Sequence, residues 1–137
     1  MPPAADNKLQ NTFRKRDKLK SSLEIEALYR EKQVIVSYPL KCYYAFSEPS
    51  EHKSNVRVAF TVPKRTFKQA VDRNKLKRRM REAYRLSCRT IFERLLNQKE
   101  KQLKLFFIYV GKEMLEYVAI EKSMQVALQG ISSFQTI

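Results

Sequence analysis

The residues best suited to chemistry in this chain are cations, and they are concentrated between Arg73 and Arg85, which reads R-N-K-L-K-R-R-M-R-E-A-Y-R. At about 100° per residue, Leu76, Met80, Ala83, Ser87 and Ile91 fall on one face of a helix, and Lys75, Arg78, Arg81, Arg85 and Arg89 fall on the other. An apolar stripe that anchors such a helix holds its guanidinium and ammonium groups close together in water, where they repel one another until a polyanion arrives. Charge runs usually form solvated helix faces, but those carry interleaved acids, and here only Asp72 and Glu82 accompany the ten basic residues of Lys64 to Arg85. The chain as a whole has 28 Lys+Arg against 14 Asp+Glu, a formal charge of +14. Its pI of about 10.0 is the footprint of a nucleic-acid binder. Lys64 to Arg85 supplies +8 and Lys8 to Lys20 a further +5, so two segments hold nearly all of the excess.

Other chemistries find little support. Two glycines in 137 residues leave no room for a phosphate-binding loop or a dinucleotide fingerprint. The single histidine, His52, lies in the polar stretch E-P-S-E-H-K-S-N and has no evident catalytic partner. The acids show no clustering of the kind a carboxylate-bound metal requires. Cys42 and Cys88 are far apart and lack zinc spacing, which fits buried reduced thiols better than a disulfide or a metal site. The longest apolar run, Leu105 to Val110, is too short to span a bilayer, so a cytoplasmic protein without membrane attachment is expected.

The elements that must position the cations follow from periodicity. Residues 1–20 are polar and basic and read as a flexible N-terminal arm, and residues 21–137 read as one domain with a single core. Ser21-Ser22-Leu23-Glu24 is a capping box, with Ile25, Leu28 and Tyr29 behind it at helical spacing, so a helix is expected from Ser22 to Lys32. Val34 to Ser37 and Leu40 to Ser47 suit strands. In the second, Leu40, Cys42, Tyr44 and Phe46 alternate with Lys41, Tyr43 and Ala45, so one face enters the core and the other offers a lysine and a phenol. Arg57 to Val62 alternates likewise, with Val58, Phe60 and Val62 inward. The basic helix begins between Lys68 and Arg73 and ends near Asn97. Leu103 to Val110 is apolar on both faces and reads as an interior strand. A last helix, Glu116 to Gln129, carries Ile120, Met124, Ala127 and Leu128 on one side.

With this αβββαβα order in place, the chain resembles the protein subunit of bacterial ribonuclease P. The likeness rests on R-V-A-F-T-V-P-K-R at Arg57 to Arg65 and A-V-D-R-N-K-L-K-R-R-M-R-E at Ala70 to Glu82, and it extends over Leu19 to Ile131. The resemblance implies an α+β fold, a single-domain two-layer sandwich with a four-stranded sheet of the ribosomal protein S5 domain 2-like type. It also implies a function: binding the catalytic RNA subunit and the 5′ leader of precursor tRNA to assist endonucleolytic maturation. The RNA subunit would perform the hydrolysis, with Mg²⁺ held by that RNA and the substrate, and the protein would contribute no catalytic residue and no metal site. Carried over position by position, the RNA-subunit contacts are Arg73, Asn74, Lys75, Lys77, Arg78 and Arg81, with Arg85 added from the same face. Two departures stand out. Lys75 replaces the second arginine of the family's R-N-R, and Thr66-Phe67-Lys68-Gln69 carries one apparent extra residue where the family usually has a glycine.

Single-stranded RNA suits a groove that interleaves basic and aromatic side chains. The expected leader-facing residues are Lys41, Tyr43, Ala59, Thr61, Lys64 and Arg65, with Tyr29 and Leu19 at the helix edge; a register slip of one residue would put Tyr44 in place of Tyr43. The partners expected are therefore the RNA subunit and precursor tRNA, with no obligate protein partner. The alternative is a small ribosomal or RNA-chaperone protein that binds structured RNA without processing it. DNA binding is disfavoured, because dimer signals and a turn-linked helix pair are both absent.

Overall fold

Alternation in the strands and 3.6-residue periodicity in the helices sort the side chains onto faces, and the tertiary structure pairs those faces. The structure, a computed structural model, describes residues 22–31, 33–47, 56–91 and 102–135. In chain order these form α1 (Ser22–Glu31), β1 (Val34–Ser37), β2 (Leu40–Ser47), β3 (Val56–Thr61), α2 (Ala70–Ile91), β4 (Gln102–Tyr109) and α3 (Tyr117–Gln135). The sheet order is β1-β2-β4-β3. β2 is antiparallel to β1 and to β4, whereas β3 and β4 run parallel, joined by the crossover through α2.

β4 is an inner strand, as its two apolar faces require, although Val110 lies just past its end and is exposed. One sheet face meets α2 and α3. Leu40, Cys42 and Tyr44 of β2, Val56 and Val58 of β3, and Leu103, Leu105, Phe107 and Tyr109 of β4 are buried there, against Leu76, Met80, Ala83 and Tyr84 of α2. From α3 the same core receives Ile120, Met124, Ala127, Leu128 and Ile131. Phe60 stacks on Phe107 at 5.6 Å between ring centroids and meets Tyr84 edge-on at 5.8 Å, geometries that add to simple area burial. Cys42 is fully buried and Cys88 half-buried, and neither forms a disulfide. Burial pushes the Cys42 thiol far up, keeping it protonated and inert.

The end of α3 differs from the periodicity reading. α3 runs on to Gln135, because Ile131 continues its apolar stripe into the core. α1 is described to Glu31, and Lys32 lies outside the described residues. α2 is described to Ile91, and its expected extension toward Asn97 lies outside the described residues, as do His52 and the arm at 1–20.

The β4–α3 connection is fastened by the Tyr109 phenol, which donates to the Glu113 carbonyl at 2.6 Å and accepts from the Leu115 amide at 2.9 Å. Burial raises its pKa, with the Leu115 bond acting in the opposite sense. Gly111 follows because a Cβ there would stand 2.9 Å from the Cβ of Pro39. Tyr109→Phe keeps the ring packing but removes the partner of two part-buried backbone groups, so it is expected to lower unfolding free energy by about 0.5–1.5 kcal/mol in a urea titration. A loss below about 0.3 kcal/mol would mean that water replaces the phenol at no cost.

Candidate nucleic-acid interface

The second face of the sheet is built from the residues that alternate away from the core. Register sets them in rows: Val34, Tyr43, Phe106 and Ala59 form one, and Val36, Lys41, Ile108 and Thr61 form the next. Beyond the first row, on its other side, Ala45 pairs with Lys104, which in turn pairs with Arg57. α1 packs over part of this face, with Ile25 against the small cluster of Ala45 and Phe106. Lys41, Tyr43, Ala59, Thr61 and Ile108 are left half-exposed and form a partly open strip of the sheet face beside α1, here called the groove. Its floor is aromatic and aliphatic. The Lys41 ammonium lies 5.2 Å from the Tyr43 ring centroid, placing a cation over a π face.

The register settles the choice between adjacent tyrosines, since Tyr43 is on the groove side and Tyr44 is buried in the core. Past Thr61 the chain leaves the sheet through Val62 and Pro63, and Lys64 and Arg65 follow, both exposed. Of the remaining expected groove residues, Tyr29 is placed on α1, and Leu19 lies outside the described residues.

α2 belongs to the opposite layer. Because its Leu76, Met80, Ala83, Tyr84 and Ser87 side is buried, Asn74, Lys75, Arg78 and Arg81 are turned to solvent. Lys77 is half-buried on the flank of this stripe, and Arg85 is half-buried with its guanidinium in contact with the Glu82 carboxylate. The helical wheel puts Arg73 and Arg79 toward the core margins, and both use their guanidinium groups on backbone. Arg79 Nη1 donates to the Leu115 carbonyl at 2.7 Å, tying α2 to the β4–α3 connection. Arg73 Nη1 donates to the carbonyls of Phe67 and Lys68 at 2.8 and 2.9 Å.

Several contributors to the groove escape a reading of single segments. Phe106 and Ile108 share a face by alternation in β4, but only the sheet order sets that face between Tyr43 and Ala59. Val34 and Val36 extend the rows onto β1, 38% and 66% exposed, from a strand too short to declare its orientation alone. The fold thus offers two separate surfaces to a polyanion. One is a stripe of exposed cations on α2; the other is the half-exposed sheet strip with aromatic and aliphatic side chains and the Lys41 ammonium.

Comparison with known proteins bears on the family and the fold. The family model for Ribonuclease P matches residues 13–132. The Ribonuclease P protein component of Porphyromonas gingivalis is 32% identical over 106 residues, 77% of this chain and 75% of that protein. The corresponding protein of Chlorobaculum tepidum is 44% identical over 72 residues, 48% of this chain and 46% of its own length. Among solved structures, the RNase P protein of Staphylococcus aureus superposes with a TM-score of 0.64 over 84% of this chain and 94% of its own, at 17% identity, a likeness of fold. Sequence motifs, family match and architecture converge, and the chain belongs to the ribonuclease P protein family.

Proposed function

We propose that the chain acts as the protein subunit of ribonuclease P, docking on the catalytic RNA through α2 and holding the 5′ leader of precursor tRNA in the sheet groove. The observation that carries this reading is the placement of two polyanion surfaces on opposite layers, the Asn74, Lys75, Arg78 and Arg81 stripe and the Lys41–Tyr43 groove. Arg73, Lys77 and Arg85 flank the stripe and belong to the same docking surface. Lys41, Tyr43, Ala59, Thr61, Lys64 and Arg65 would line the leader path, with Tyr29 and Leu19 at its α1 edge.

Each phosphate met by a lysine or arginine releases condensed cations, so a protein that neutralises both RNA and leader lowers the Mg²⁺ needed for assembly. Among the described residues no three His, Cys, Asp or Glu side chains gather. In this reading the Mg²⁺ belongs to the RNA subunit and the substrate. The protein supplies binding, orientation and counter-charge for endonucleolytic 5′ maturation of tRNA.

The deciding experiment is cleavage of precursor tRNA by a ribonuclease P RNA at low Mg²⁺, with and without the polypeptide. Cleavage rescued by the protein, together with tighter binding of precursor than of mature tRNA, is the expected result. Equal binding of the two tRNAs and no rescue would instead describe an RNA chaperone.

A further inference from the structure

Arg73 stands in the first turn of α2, where a positive charge opposes the helix dipole and has to be compensated locally. Compensation comes from the segment joining β3 to α2. Both of the Arg73 Nη1 bonds go to successive carbonyls of that segment, Phe67 at 2.8 Å and Lys68 at 2.9 Å. The same segment is pinned twice more. The amides of Thr66 and Phe67 donate to the Pro63 carbonyl at 3.3 and 3.1 Å, and the buried Phe67 ring meets Tyr109 edge-on at 5.7 Å. Lys64 and Arg65 lie in this turn and are exposed to solvent, three and four residues past the end of β3.

We infer that Arg73 is a positioning residue: its guanidinium braces the 63–68 turn, so that Lys64 and Arg65 are presented to RNA entering the groove. The inference rests on the reading of the groove as the leader site. It assigns to Arg73 a role that its charge alone would not fulfil. A guanidinium nitrogen with two protons spans adjacent carbonyls in a fixed plane, whereas a lysine at the same position keeps the charge on a shorter stem and loses that planar geometry.

The test compares wild type, Arg73→Lys, Arg73→Ala and the double variant Lys64→Ala/Arg65→Ala, each reconstituted with a ribonuclease P RNA. Affinity for precursor tRNA is measured with long and short leaders, and hydrogen exchange of the Thr66 and Phe67 amides is followed in the free protein. The double variant is expected to lose roughly fifteen-fold of the leader-dependent affinity at 0.15 M salt, about four-fold for each of two phosphate contacts. Arg73→Lys is expected to lose most of the same gain despite its charge, with faster exchange at both amides. Wild-type leader discrimination in Arg73→Lys, or unaltered exchange at both amides, overturns the inference. A wild-type complex indifferent to leader length overturns the leader reading itself, and the exchange data then still decide whether Arg73 braces the turn.

Discussion

Replacing Arg78 and Arg81 together by alanine is expected to weaken binding to ribonuclease P RNA about twenty-fold at 0.15 M salt and to flatten the slope of log K against log salt by about 1.6. Both side chains are exposed on the outward side of α2, beyond the buried Leu76, Met80 and Ala83. Their removal leaves the core untouched, and alanine is the best helix former, so the folded state should keep its stability to within about 0.5 kcal/mol. The pair is therefore a cleaner probe of docking than Arg73, whose loss would also release the 63–68 turn. Salt titration of the binding constant separates a true phosphate contact from a general loss of net charge, since only the former changes the slope by nearly one per residue. An unchanged affinity and slope would remove α2 from the RNA-docking surface.

The second large effect concerns two adjacent tyrosines with opposite fates. Tyr43→Ala should leave the main core intact and lower the affinity for leader-bearing precursor by about 1–3 kcal/mol, the contribution of one stacked base, with no effect on a substrate lacking the leader. Tyr44→Ala should do the reverse. Tyr44 is only 7% exposed and packs in the main core, so its truncation opens a cavity worth about 3–5 kcal/mol of folding stability, while any loss of leader binding only follows unfolding. Thermal unfolding and leader-dependent affinity measured on both variants form the check. A stable Tyr44→Ala beside an unstable Tyr43→Ala would mean that β2 is flipped by one residue, turning every side chain on it to the other face.

The helices and strands of this protein were legible because their signals are local. The alternation from Leu40 to Phe46 and the Leu76, Met80, Ala83 stripe each lie within a few turns or pleats of chain, and β2 and α2 formed with Leu40, Cys42, Tyr44, Leu76, Met80 and Ala83 buried as expected. Charge is equally local: ten cations against two acids in Lys64 to Arg85 identify a polyanion surface before any fold is known. End points were less secure, as the extra length of α3 illustrates, because Ile131 joins the stripe only once there is a core for it to enter.

What the sequence by itself determined, then, was the inventory of amphipathic elements, the position of the cationic helix and, through two motifs, the family. Tertiary structure alone decided which strand lies between which. By inserting β4 between β2 and β3 it assembled the Val34, Tyr43, Phe106 and Ala59 row from four strands, and by laying α1 over Ala45 and Phe106 it set the groove's edge. It also divided the arginines of α2 into those that face solvent and those, Arg73 and Arg79, that are spent on carbonyls six and 36 residues away in the chain. The physical reason is range: periodicity reports the environment a side chain needs, whereas strand order and long side-chain hydrogen bonds depend on which distant segment arrives to provide it.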